Sequence, residues 1–226
     1  MKLAVLFSGG KDSTLALHMA AEKEEVMCLI TLFSKNPESF MFHTPNINLT
    51  KLQAEALGLP LVQQPTDGKI EAEIEDLKKA IAQAINAYNI EGVVSGAVES
   101  VYQSERIQRV CNSLDIWCIN PLWQRNQKAL LDEIVAKGFK VIISGVFAHP
   151  LNSTWLGKEM NTELIAELMR LEKEFGISPS GEGGEIETTV LDAPLFRKKI
   201  EILDYEVIAK GNTGVFNIKR ARLAKK

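Results

Sequence analysis

Cysteine is scarce in this sequence: Cys28, Cys111 and Cys118 are the only three in 226 residues. The set is odd and has no CxxC spacing. That excludes a disulfide-stapled miniprotein and fits reduced thiols of a cytoplasmic protein, packed as small hydrophobes. No apolar run approaches the ~18 residues needed to span a bilayer. The amino terminus opens directly on a strand-like run, so no signal peptide and no membrane partner are expected. An excess of positive charge is lacking too, with 26 Lys+Arg against 29 Asp+Glu and a formal net charge of −3. A dedicated nucleic-acid binder usually carries a basic field, so no direct nucleic-acid contact is expected. Internal repeats and low-complexity segments are absent. What remains is the composition of a soluble globular protein, 46% hydrophobic and 24% charged, long enough for one or two domains with a sizeable core.

The first half alternates between two periodicities. Leu3 to Phe7, Val26 to Phe33, Leu61-Val62, Gly92 to Ser95 and Ile116 to Ile119 are short apolar runs, as expected of strands buried on both faces. Between them lie helix-like stretches: Ser13 to about Lys23, a segment capped by Asn48 that ends near Gly58, and a segment around Arg106 to Leu114. A fourth carries Ile70, Ile74, Leu77, Ile81, Ile85 and Tyr88 at spacings of four and three. This alternation predicts βαβ units and a five-stranded parallel, Rossmann-like sheet with helices on both faces. Ligands bind such sheets beyond the carboxyl ends of the strands. The second half, from about Pro121, predicts a smaller α+β unit. It holds a helix at Leu130 to Val135, a strand at Val141 to Phe147, and a helix capped by Asn161 that carries Leu164, Leu168, Leu171 and Phe175. A Gly-rich loop follows from Gly176 to Gly184. Strands are then expected at Val190 to Leu195, Ile200 to Ile208 and Val215 to Leu223, the last two turning at Gly211-Asn212.

Chemistry concentrates in a few strings. Ser8-Gly9-Gly10-Lys11-Asp12-Ser13 joins the first strand to the first helix. The glycines let backbone approach a ligand closely. Free N–H groups and the dipole at the helix start favour an anion, and two hydroxyls and one ammonium complete a phosphate cradle. The Walker pattern GxxxxGK[ST] is absent, so this is a different cradle. His43 lies in the loop after strand two. Gly96 ends strand four, at the ligand-facing edge of the sheet. Tyr102, Gln103, Arg106 and Arg109 follow; the two arginines are one helical turn apart, an anion fork or an ordinary basic face. Pro121-Leu122-Trp123 follows strand five. Gly181-Glu182-Gly183-Gly184-Glu185-Ile186-Glu187-Thr188 is poorly suited to a core. It reads as a solvated loop or as a carboxylate-bearing loop that meets a cation, an amine or ammonia.

The SGGKDS string resembles the PP-loop of the N-type ATP pyrophosphatases. Together with the FHT, SGA…YQ..R, PLW and GEGGE.ET strings in this order, the chain resembles the diphthine–ammonia ligase family over essentially its whole length. The resemblance implies ATP and Mg²⁺ as cofactors and residues 1–120 as a PP-loop ATP-binding domain. Residues 121–226 would form a C-terminal α+β substrate-binding domain. It implies amidation of diphthine, a modified histidine on translation elongation factor 2, to diphthamide. ATP would activate the carboxylate as an acyl-adenylate, ammonia would attack, and pyrophosphate and AMP would leave. By the same resemblance, Ser8, Gly9, Gly10, Lys11, Asp12, Ser13 and Gly96 serve the nucleotide. Lys11, Asp12, His43 and Glu185 are the catalytic candidates. Tyr102, Gln103 and Arg106 serve the substrate side or the α-phosphate, and Glu182, Glu185 and Glu187 serve ammonia or the trimethylammonium group of the substrate. Asp12 is the metal candidate, its alternative being a carboxylate that complements the helix dipole. Whether the protein forms a homo-oligomer is left open.

Two other readings compete: a tRNA-modifying PP-loop enzyme and a non-catalytic ATP-binding module. Thiolation normally uses paired or metal-bound cysteines, and a tRNA ligase needs a clearly basic second half. Here residues 1–120 carry 10 basic and 15 acidic side chains and the remainder 16 and 14. A pure binding module would tolerate loss of Lys11, Asp12 and the carboxylate loop, and all are present.

Overall fold

The apolar run at the amino terminus forms β1 (Lys2–Leu6), and its two faces enter two different cores. In the computed structural model, which describes residues 1–34, 45–67 and 70–226 (without the side chains of 70 and 71), seven further elements complete the first half. They are α1 (Lys11–Ala21), β2 (Glu25–Ser34), α2 (Thr50–Leu57), β3 (Leu61–Thr66), α3 (Ile70–Tyr88), β4 (Gly92–Val94) and α4 (Val101–Ser113), followed by the edge strand β5 (Trp117–Ile119). The five strands pair in parallel in the order β3-β2-β1-β4-β5. Strand order reverses between β1 and β4. The turns after these two strands therefore border the crevice where open α/β sheets bind ligands.

Side-chain alternation sorts the layers. Ala4 faces the side covered by α3 and α4, where Cys28, Ile30, Leu77, Ile81, Ile107 and Cys111 pack. Leu3, Val5 and Phe7 face the other side, against Leu15, Ala16 and Leu17 of α1. That second core does not stop at residue 120. It continues through Leu122 into α5 (Gln127–Ala136), β6 (Lys140–Val146) and α6 (Thr162–Phe175). Asn126 and Asn161 cap α5 and α6, accepting from Ala129 N at 3.0 Å and Leu164 N at 2.8 Å. Gly176 closes α6 with a left-handed φ of 70°.

The second sheet adds β7 (Ile186–Asp192), β8 (Lys199–Lys210) and β9 (Thr213–Ala224), antiparallel in the order β7-β6-β9-β8. The hairpin turns at Gly211-Asn212 as expected; β9 lies inside the sheet and β8 forms its edge. Asn48 does not cap α2: it lies in a short 3-10 turn (Ile47–Leu49), and Leu49 precedes the helix without a side-chain cap. Two further boundaries that differ from the sequence expectation bear on the site. Strand β7 starts at Ile186, four residues before Val190. Thr188, in this first part of the strand, meets the SGGKDS turn with its Oγ1 accepting from Lys11 N, so the end of the string that reads as a loop is strand instead. Helix α4 starts at Val101, with Ser100 accepting from Gln103 N at 3.3 Å, which places Tyr102 and Gln103 in its first turn. Cys28 and Cys111 are buried and Cys118 half-buried, all as free thiols. Among the described residues no helix is long and apolar enough to cross a membrane.

Candidate active site

The turn from β1 into α1 is shaped by close approach. Gly9 has φ 79°, and a Cβ there would meet Gln53 Oε1 at 2.1 Å. Gln53, buried on α2, spends its amide on this turn. Its Nε2 donates to Gly9 O at 2.9 Å and to Val190 O of β7 at 2.8 Å. Val190 N donates back to Gly9 O at 3.0 Å. Gly10 caps α1 without a side chain, leaving the helix start open. Ser8 Oγ and Ser13 Oγ face each other at 3.2 Å across it. Ser13 Oγ and Thr14 Oγ1 both donate to Gly10 O, at 3.1 and 2.8 Å.

Gly96 enters from the turn after β4. A Cβ on it would stand 2.8 Å from Ser13 N, so the absence of a side chain lets this turn lie against the first turn of α1. From the other side comes the second sheet: Thr188 Oγ1 accepts from Lys11 N at 3.2 Å. The Lys11 ammonium is 3% exposed. It pairs with Asp12 Oδ2 at 2.7 Å and donates to Ser180 O at 2.5 Å. Thus the cradle and the loop that leads into the GEGGEIET segment, 169 residues apart in sequence, meet at the Lys11 ammonium through Ser180 O, and the segment itself meets the Lys11 backbone through Thr188.

Two carboxylates of that segment share the electrostatics of Lys11. Burial, reinforced by the charge of Asp12 and opposed by Lys11, pushes the Glu182 carboxyl up to about 7. Burial also raises Glu187 to about 7, with Lys11 opposing and Asp12 and Glu182 adding to the rise. Glu185 is placed differently. Its Oε1 accepts from Ser178 N at 3.0 Å, folding the carboxylate back into its own loop, and its Oε2 is buried without a partner. Asp12 Oδ1 is likewise buried and unpartnered. Among the described residues no group of three or more His, Cys, Asp or Glu is gathered to hold a metal ion.

Tyr102, Gln103 and Arg106 share the start of α4. The Arg106 guanidinium lies 3.3 Å from the Tyr102 ring centre and donates to Tyr102 O at 3.2 Å. Tyr102 Oη and Arg106 Nε are buried without partners. His43 lies outside the described residues. Several residues of this region escape a reading by motif: Gln53, Glu99, Gln127, Ser180 and Thr188. Each makes its contact through tertiary structure; Thr188 closes the GEGGEIET string, Glu99 lies within the SGA…YQ..R string and Ser180 directly precedes GEGGEIET, yet none of these positions shows its partner in the sequence.

Residues 1–117 match the diphthamide synthase N-terminal domain family, and residues 126–224 match the diphthamide synthase C-terminal domain family. A protein of Schizosaccharomyces pombe named diphthine–ammonia ligase is 35% identical over 97% of this chain. One of Mus musculus with the same name is 36% identical over 92%. The chain spans 39% of the length of the first relative and 85% of the second. A solved structure from Methanocaldococcus jannaschii, titled as a predicted subunit of tRNA methyltransferase, is 21% identical with a TM-score of 0.46. That match covers 86% of this chain and 98% of the other and is too distant to bear on function.

Proposed function

The chain belongs to the diphthamide synthase family, and from that premise we propose that it is an ATP-dependent ligase that amidates diphthine on translation elongation factor 2 to diphthamide. The observation that carries this reading is the meeting of two chemistries at Lys11: an anion cradle on one side and a carboxylate loop suited to a cation or amine on the other.

A carboxylate is a poor electrophile at neutral pH, and adenylation divides one hard step into two. The diphthine carboxylate attacks the α-phosphorus of ATP, forming the acyl-adenylate and expelling pyrophosphate. Ammonia then attacks the acyl carbon, a proton leaves its nitrogen, and AMP departs. Ser8, Gly9, Gly10 and Ser13 hold the phosphates through the open helix start, and Gly96 keeps the neighbouring turn close to it. Lys11 balances charge as pyrophosphate separates. Asp12 Oδ1, buried and unpartnered, is a hard oxygen that fits Mg²⁺; when bound, the ion neutralises phosphate charge. Glu182 and Glu187, titrating near 7, suit both attraction of ammonium and acceptance of its proton. Glu185 shapes the loop that carries them. Tyr102, Gln103 and Arg106 offer buried polar groups to the substrate side, and His43 remains a candidate on the loop after β2. Residues 1–120 bind the nucleotide and residues 121–226 bring the substrate loop, in the cytoplasm where the translation machinery works.

The test is to incubate the protein with MgATP and ammonium, adding diphthine-bearing elongation factor 2 or tRNA, and to measure AMP and pyrophosphate. AMP formation that depends on the factor is expected. No stimulation by the factor overturns the proposal, and stimulation by tRNA alone assigns the chain to a different substrate.

A further inference from the structure

We propose that Gln127 is a positioning residue of this site: its one side-chain amide sets where the Lys11 ammonium and the Glu182 carboxylate stand. The residue opens α5 and belongs to none of the strings that suggest chemistry. Its Oε1 accepts from Ser178 Oγ at 2.7 Å, Ser180 Oγ at 2.8 Å and Ser180 N at 3.1 Å. Its Nε2 donates to Glu99 Oε2 at 3.2 Å.

These bonds close a ring. Glu99 N donates to Glu182 Oε2 at 3.1 Å, and Glu182 N donates to Ser178 Oγ at 2.9 Å, which donates back to Gln127. The ring joins three separate pieces of chain: the start of α5, the turn after β4, and the loop before β7. Ser180, whose backbone N–H and hydroxyl Gln127 fixes, presents its carbonyl to the Lys11 ammonium. One end of the amide therefore controls the partner of Lys11, and the other controls the partner of Glu182. A primary amide offers an acceptor to the serine donors and a donor to a carboxylate from the same short side chain without depending on pH, whereas a carboxyl does so only when protonated. Asparagine has the chemistry but lacks the reach. A hydrocarbon would leave the Glu99 carboxylate and the two serines without this partner, and would free the loop that holds Glu182.

The chemical consequence rests on the ligase reading, but the geometric one does not, so two measurements separate them. The first is amide hydrogen exchange of the 178–185 loop in the full chain. Q127A should exchange there about 10-fold faster or more, given the worth of hydrogen bonds that involve charged groups. Unchanged exchange overturns the proposal whatever the substrate is. The second is amide formation on diphthine-bearing elongation factor 2, as a pH profile of each variant divided by that of the parent. Q127A should fall about 10- to 100-fold at every pH. In Q127E a carboxyl faces the Glu99 carboxylate, and such a pair shares one proton. Once protonated, that carboxyl regains both a donor and an acceptor. The Q127E ratio should therefore climb as pH is lowered from about 8 to about 6 more steeply than the Q127A ratio, which changes only with the loosened Glu182 carboxyl. A residue that only supports the fold would give a Q127E ratio no steeper than that of Q127A, and that result overturns the positioning role. A parent protein that forms no amide overturns the ligase reading alone, and the exchange experiment still decides Gln127.

Discussion

Replacing Gly96 with alanine perturbs the nucleotide side at the point where two backbones touch. The added Cβ would stand 2.8 Å from Ser13 N, 2.9 Å from the Asp12 carbonyl carbon and 3.0 Å from Ser13 Cα. All three are backbone atoms in the first turn of α1, and they cannot swing aside as the end of a side chain can. Relaxed carbon contacts lie at about 3.5–4.0 Å, so the β4 turn or the helix start must retreat by roughly 0.5–1 Å. Overpacking of this kind destabilises by about 1–3 kcal/mol, read as a lower urea midpoint. The N–H groups of the cradle move with the helix start. A misplacement of about 1 Å can lower activity about 100-fold, and MgATP affinity, measured by calorimetric titration, should weaken about 10- to 100-fold. Gly138→Ala is the control. Gly138 has φ 77°, but a Cβ there meets nothing within 4 Å. It should lose about 1–2 kcal/mol of stability to backbone strain and bind MgATP as the parent does. If Gly96→Ala also binds like the parent, or if Gly138→Ala weakens binding equally, the cradle has been misread.

Three other outcomes follow from the same contacts. The carboxyls of Glu182 and Glu187 are raised from 4.5 to about 7, so the folded chain keeps protons that the unfolded chain has released. Their contribution is full below pH 4.5 and is lost as pH rises through about 7. Urea unfolding across that window should show the decline, and a Glu182→Gln, Glu187→Gln double variant should flatten it; an unaltered slope would count against the raised carboxyls. His18 works with the opposite sign. Burial lowers it from 6.5, while its Nδ1 bonds Thr14 O at 2.7 Å and its Nε2 accepts from Leu195 N at 3.1 Å, which keeps the ring neutral. Stability is therefore lost as pH falls below 6.5, and a His18→Gln protein that declines as steeply in acid would refute that role. Gln53→Leu leaves two backbone carbonyls short of a donor, at Gly9 and Val190. Gly9 O keeps its bond from Val190 N, so the loss falls mainly on Val190 O and should lower the free energy of unfolding by about 1–3 kcal/mol; parental stability in the urea melt would exclude the bridge.

Helix and strand periods were legible because they are local. The Leu77, Ile81 spacing of α3 declares which face is buried, and the unbroken apolar run of β1 declares that both are, whatever lies beyond. The Asn161 cap and the Gly176 stop of α6 are equally local, each closing within a few residues. Strand β7 misled for a related reason. Glu187 and Thr188 end a glycine- and glutamate-rich string that reads as a loop, yet Thr188 Oγ1 is a partner of Lys11 N across the two sheets. Of the candidate site residues, the SGGKDS turn was readable from its strand–turn–helix context. Gln53 and Gln127 were not, because an isolated polar residue on a helix looks the same whether its amide meets water or backbone.

Sequence alone determined that this chain alternates strands and helices, carries an anion-binding turn after its first strand, and resembles the family to which it belongs. The first two depend on residues within a few turns of each other, and the third on the order of short strings along the chain. Tertiary structure decided that α1 and the second sheet cover the same face of the first. That shared face brings Ser180 and Thr188 onto Lys11. It also makes Glu182 and Glu187 weak acids and closes the ring through Gln127 and Glu99. Burial and charge proximity arise only when distant segments pack. A carboxylate in the linear chain therefore shows its charge but not its pKa, and a glutamine shows its donors but not whom they serve.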